Sequence, residues 1–130
     1  MSNVPAELKY TKEHEWVGQL TADGTVRIGV TDHAQGELGD VVYVDLPEVG
    51  DTLEAEATFG EIESTKSVSD LFVPLSGQVV AVNNALESSP EIVNSDPYGE
   101  GWLIELRPAN KADIDSLLSA EGYLAEIEAQ

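Results

Sequence analysis

The sequence predicts a mainly β domain of sandwich or barrel type, with a short helical turn near 31–38 and a C-terminal helix. Three observations carry that expectation. Short Val-rich runs alternate with turn chemistry roughly every eight to twelve residues, the punctuation of sheets rather than of βαβ units. Apolar residues recur at helical spacing only near the end, at Ile114, Leu117, Leu118, Leu124 and Ile127. No linker or low-complexity stretch divides the 130 residues, so one domain spanning 1–130 is expected.

The first candidate strands are Glu15–Leu20 and Thr25–Val30, joined through Ala22-Asp23-Gly24, where Asp and Gly tolerate the positive φ of a tight turn. Thr31 to Leu38 then reads as a capped helical turn that stops at Gly39. Asp40–Asp45 follows as a strand, and Thr58–Ser64 with Ser69–Val73 form the arms of a hairpin over about 58–73. Gly77–Asn83 and Trp102–Arg107 complete the strand set. The tail, Asn110–Glu128, is the one extended helical pattern, with Asn110 or Asp113 as N-cap and Gly122 as the point where it splits.

Gly39-Asp40-Val41-Val42-Tyr43-Val44-Asp45 reappears as Gly77-Gln78-Val79-Val80-Ala81-Val82-Asn83, each copy leading into a turn-rich segment. Two copies are too few for a solenoid. They suit a two-fold duplication in which each half supplies one sheet.

Charge and composition exclude several functions. With 6 Lys and Arg against 25 Asp and Glu, the formal charge is −19. Six scattered cations form no stripe able to displace counterions from nucleic acid, nor a patch for anionic lipid. The absence of cysteine removes disulfides, thiolate metal sites and a cysteine nucleophile. Patterned Val, Ile and Leu within 42% hydrophobic residues separate the chain from a disordered acidic tail. No apolar run reaches the ~20 residues of a membrane span, and the start lacks a signal-peptide pattern, so a bacterial cytoplasmic location is expected. A mitochondrial matrix location would require a transit peptide already removed.

Within the acidic middle, Lys66 is the only Lys or Arg between Arg27 and Arg107. It falls at the tip of the 58–73 hairpin. One reading is a solvated lysine balancing Glu61, Glu63 and Asp70. The other is a modification site: a projecting tip is where a transferase reaches an ε-amino group, and the four-carbon stem lets an attached group swing clear. His14 and His33 lie too far apart in sequence, without Cys or a close His partner, to suggest a metal site. Structural places are expected for both, His14 on a strand edge and His33 in the helical turn. Trp16, Tyr43 and Trp102 are expected to pack in or rim the core. Acid pairs such as Glu54 with Glu56, or Glu61 with Glu63, read as solvated strand faces.

At the hairpin, Glu63-Ser64-Thr65-Lys66-Ser67 with Asp70 resembles the lipoyl-lysine motif of the glycine cleavage system H proteins. The resemblance continues in order from about Leu8 to Leu118. It includes Leu8-Lys9-Tyr10, His14-Glu15-Trp16, Ile28-Gly29-Val30-Thr31-Asp32-His33-Ala34-Gln35, Leu38-Gly39-Asp40-Val41-Val42 and Asp45-Leu46-Pro47-Glu48-Val49-Gly50. Pro74-Leu75-Ser76-Gly77, Val93-Asn94-Ser95, Pro97-Tyr98 and Gly101-Trp102-Leu103 extend it.

The resemblance implies a barrel-sandwich hybrid of the biotinyl/lipoyl-carrier type and lipoate joined as an amide to Lys66. It implies a carrier without catalytic residues of its own. Such a carrier takes the methylamine of glycine from a pyridoxal-phosphate-dependent glycine decarboxylase (P protein) to a tetrahydrofolate-dependent aminomethyltransferase (T protein). Dihydrolipoamide dehydrogenase (L protein) reoxidises the dithiol, and a lipoyl transferase or ligase attaches the group. In such proteins the loaded arm folds into a cleft, and the resemblance places Glu15, Glu37 and Asp70 at cleft positions, where a carboxylate suits a cationic amine. Glu37 stands where some members have histidine, and Thr65 replaces a common Val while keeping the β-branch. The alternatives are an H-like protein that stores or relays lipoyl groups, a lipoyl carrier for another acyl-transfer complex, and an unmodified acidic interaction domain or a small hydrolase.

Overall fold

A computed structural model describes residues 3–129. Its strands are β1 (Lys9–Tyr10), β2 (Glu15–Val17), β3 (Val26–Val30), β4 (Val41–Asp45), β5 (Thr52–Leu53), β6 (Thr58–Ser64), β7 (Val68–Phe72), β8 (Gly77–Val82) and β9 (Ile104–Pro108). The helices are α1 (Asp32–Leu38), the single turns α2 (Ala85–Ser88) and α3 (Ile92–Ser95), and α4 (Ala120–Ala129), with a 3₁₀ segment over Lys111–Ser116. The mainly β expectation holds. All pairings are antiparallel, in a six-stranded sheet ordered β1-β2-β3-β9-β8-β5 and a three-stranded sheet ordered β4-β6-β7.

The core follows from alternation. In β6, Phe59, Ile62 and Ser64 are buried while Thr58, Glu61 and Glu63 face water, as a sheet covered on one side requires. Ile62, Ile28, Leu106, Val79 and Leu103 belong to one buried cluster, and each such side chain contributes roughly 1.5–3 kcal/mol. A second cluster of Tyr10, Trp16 and Tyr123 is joined by partly buried Leu118 and Ile127. Trp16 pairs across the strands with Gly29, where any Cβ would lie 2.6 Å from the indole nitrogen. Its Nε1–H donates to the Pro97 carbonyl at 2.9 Å.

Several expectations are corrected. The tail is not one helix and does not break at Gly122. It breaks at Leu117–Ser119, because Leu118 exchanges backbone hydrogen bonds with Tyr10 and leaves helical geometry to do so. The repeat copies, β4 and β8, lie in different sheets, but the halves do not each build one: β5 joins β8 in the larger sheet. Tyr43 is 55% exposed, since a bulge between Val41 and Tyr43 shifts the alternation of β4. His14 precedes β2 in a left-handed conformation, φ 67°. Among the described residues no helix is long and apolar enough to cross a membrane.

Candidate functional site

The β6–β7 hairpin places Lys66 at its tip. Ser64, although polar, is nearly buried, and it organises the turn. Its Oγ accepts the Lys66 N–H at 3.2 Å and the Ser67 N–H at 3.1 Å, while its backbone N–H donates to the Ser67 carbonyl at 2.8 Å. A serine that accepts from the backbone two residues on is a local turn former. The Thr65 N–H donates to Asp40 at 3.0 Å, tying the tip to the entrance of β4. Thr65, Lys66 and Ser67 are exposed.

Lys66 does not point freely into solvent. Its Nζ donates to the Glu37 carbonyl at 2.9 Å, one of the acceptors left without an intrahelical partner at the C-terminal end of α1. Beneath the stem lies Gly39, the α1 C-cap, at φ 80° and ψ −157°. A Cβ there would lie 3.1 Å from Lys66 Cδ. The helix ends here because Gly39 adopts a conformation that side chains avoid. Asn94 then holds that end, donating to the Gly39 carbonyl and accepting the Val41 N–H, both at 2.8 Å.

Beside the tip, β2, α1 and the edge strand β7 enclose a cleft of about 170 Å³. Val30, Ala34, Leu38, Ile62 and Leu71 give it an apolar floor, and Glu13, His14, Glu15, Glu37 and Asp70 also line it. The three residues singled out from sequence, Glu15, Glu37 and Asp70, thus all line one cleft. They differ in setting. Glu37 is 66% exposed at its side chain, with Oε1 2.7 Å from His33 Nε2, and Asp70 is exposed on β7.

Glu15 is only 2% exposed. Its Oε2 accepts the Phe72 N–H at 2.8 Å and its Oε1 the Thr11 hydroxyl at 3.3 Å, so it joins β2 to the edge of β7. Burial pushes its pKa up to about 8, with those two hydrogen bonds opposing. It also lines a separate cavity of about 470 Å³ with Tyr10, Phe72 and Pro74. Glu15 therefore forms a wall between two spaces rather than an open anionic contact.

Glu63 lies on the outer face of the three-stranded sheet, paired with Tyr43 and Val68, and the next row is Asp45, Glu61 and Asp70. Glu13, His14 and Leu38 line the cleft without having been singled out for it. Alternation from Glu15 would have suggested Glu13; nothing in the sequence marks the left-handed turn that brings His14 in. Among the described residues, no group of three or more His, Asp or Glu is placed to hold a metal ion.

The Glycine cleavage H-protein family model matches residues 8–130. A glycine cleavage system H protein of Psychrobacter sp. is 57% identical, over 98% of this chain and 100% of the relative. That of Mycolicibacterium vanbaalenii is 59% identical over 98% of each. A crystal structure of a glycine cleavage system H protein from Mycobacterium marinum superposes with a TM-score of 0.87 at 45% identity, covering 96% of this chain and 99% of that one. A match of this length and identity, on the same overall fold, leaves one assignment: the chain belongs to the glycine cleavage H-protein family.

Proposed function

We propose that Lys66 is the residue that carries the lipoyl group, as an amide on Nζ, and that the cleft between α1, β2 and β7 seats the loaded arm. As a family member the chain is a non-catalytic, lipoyl-bearing aminomethyl carrier of the glycine cleavage system. Its partners are glycine decarboxylase (P protein), the aminomethyltransferase (T protein) and dihydrolipoamide dehydrogenase (L protein). The bacterial relatives support a cytoplasmic location, where a lipoyl transferase or ligase supplies the group.

The observation that carries the assignment is the setting of Lys66: exposed at a hairpin tip, with its stem over Gly39 and its Nζ on the carbonyl of Glu37, a residue of the cleft lining. The residues fit the group. A dithiolane on a long tether supplies sulfur redox chemistry that a chain without cysteine lacks. Glu63, Thr65 and Ser67 stand exposed around the lysine for a lipoylating enzyme to read. Ser64 fixes the turn that presents it. The Glu37 carbonyl accepts an N–H from the lysine nitrogen, and an amide at that nitrogen keeps one such N–H. Val30, Leu38 and Ile62 offer apolar surface to a hydrocarbon tether, and Glu37 and Asp70 offer acceptors to a cationic amine.

Intact mass spectrometry on protein from lipoate-replete cells tests the assignment. Wild type is expected to carry a lipoyl increment that Lys66→Arg lacks. Persistence of the increment in Lys66→Arg would overturn it.

A further inference from the structure

His14 brings the one imidazole into the cleft lining, and its protonation decides whether a positive charge stands where a cationic amine is to be held. Its Nδ1 lies 2.8 Å from the Tyr123 hydroxyl. That hydroxyl lies 2.7 Å from Thr31 Oγ1, and Thr31 Oγ1, as N-cap of α1, already accepts the Ala34 N–H at 3.2 Å. The Thr31 N–H donates to the His14 carbonyl at 3.0 Å, closing the link between the segments. Thr31 and Tyr123 are both fully buried.

Proton counting gives this chain a direction. Thr31 Oγ1 accepts from Ala34, and its own proton is satisfied by donation to the Tyr123 oxygen. Tyr123 then donates to His14 Nδ1, which must be the bare nitrogen. A protonated His14 would have to donate from Nδ1, turning Tyr123 toward Thr31 and taking the acceptor from a buried threonine proton.

We propose that Tyr123 is a positioning residue for the arm cleft: through the chain from Thr31 it holds His14 as the neutral Nε2–H tautomer and keeps positive charge away from the amine. The proposal rests on the reading of the cleft as the seat of the loaded arm. It assigns α4, remote from the hairpin in sequence, a part in holding the cargo.

The groups around His14 divide. Burial disfavours the cation most and His33 of α1 disfavours it too, while Glu37 of α1, Glu13 beside it and Glu126 of α4 favour it. Glu15 of β2 and Asp70 of β7 share the cleft lining. The balance places the imidazole below its ordinary pKa. Three carboxylates favour the imidazolium, so loss of the hydroxyl chain moves His14 toward the charged form.

The test is nitrogen-detected NMR of His14 in the full-length, unlipoylated protein, for wild type and Tyr123→Phe, which keeps the ring stacked on Tyr10. Wild type is expected to show the Nε2–H tautomer, and the variant a titration midpoint higher by about one pH unit, tenfold in protonation. An Nδ1–H tautomer in wild type overturns the proposal without any variant. An unchanged midpoint in Tyr123→Phe also overturns it. On loaded protein, Tyr123→Phe is expected to release amine several-fold faster at pH 6 than at pH 8, and adding His14→Asn is expected to abolish that difference. A difference that survives in the double variant contradicts the proposal. Unchanged release in both Asp70→Asn and Glu37→Gln would instead refute the cleft reading, while the tautomer measurement still judges Tyr123.

Discussion

Replacing Glu15 by Gln separates the fold-holding use of this residue from its charge. The carboxyl is 2% exposed and bonded to the Phe72 N–H and the Thr11 hydroxyl. Burial raises its pKa from 4.5 to about 8. Between those values the native state keeps a proton that the unfolded chain releases, so the contribution of Glu15 to stability falls as pH rises through the window. A shift of this size corresponds to roughly 5 kcal/mol lost by the time pH exceeds 8. Gln matches the shape, accepts from Phe72 and does not titrate. Urea unfolding followed by fluorescence of Trp16 and Trp102 at pH 5 and pH 9 measures both proteins. Wild type is expected to lose several kcal/mol more than Glu15→Gln, on the order of 3–5. The other acidic groups titrate in both proteins and cancel in the comparison. Parallel losses in the two would refute the argument that burial holds the proton on Glu15.

The remaining predictions concern the hairpin, the cleft and the field around them. Gly39→Ala is expected to cost about 1–3 kcal/mol in thermal or urea unfolding, because φ 80° with ψ −157° is nearly exclusive to glycine; a neutral effect would mean the cap relaxes freely. Glu15→Ala and Asp70→Asn are expected to leave lipoylation intact, as judged by intact mass, and to speed release of amine from the loaded protein. An unchanged release rate removes the residue concerned from the cleft. Raised salt is expected to slow transfer between the partner enzymes far more than it shifts the melting curve. Salt-independent transfer would deny the acidic surface a steering role.

That surface has a visible organisation. Asp45, Glu61 and Asp70 face one another across the three strands of the hairpin sheet, an arrangement that costs stability, since like charges directly opposite repel. A carrier that must meet several enzymes in turn gains fast, weak encounters from such a face wherever the partners' entrances are basic. Part of the acidic excess behind the formal charge of −19 thus lies close to the hairpin tip. Acylation of Lys66, as proposed, would remove its positive charge and deepen that field.

Much of the fold was legible because alternation is a local signal. The β6 pattern from Thr58 to Ser64 and the Val-rich β8 are nearly as long in the structure as in the sequence reading. The two-residue strands β1 and β5 were not legible, since two residues carry no period. The Tyr43 error came from a bulge, which a strict two-residue period does not anticipate. Tyr123 was missed because the 3₁₀ segment and the break at Leu118 reset the helical phase, so the stripe drawn through Leu124 and Ile127 passed it by. At the candidate site, the hairpin-tip position of Lys66 was legible from the small polar residues between two strand-like arms. The double duty of Glu15, and the chain from Thr31 through Tyr123 to His14, depend on contacts between residues as many as 109 positions apart. No local pattern encodes them.

The most direct test of the central claim is glycine-dependent loading. Lipoylated protein is incubated with glycine and the decarboxylase, and the added mass is then located by peptide mapping. The account predicts an aminomethyl increment on the lipoyl group of the peptide containing Lys66, and none in Lys66→Arg. A fully lipoylated protein that never loads, or an increment mapped to another residue, would contradict it.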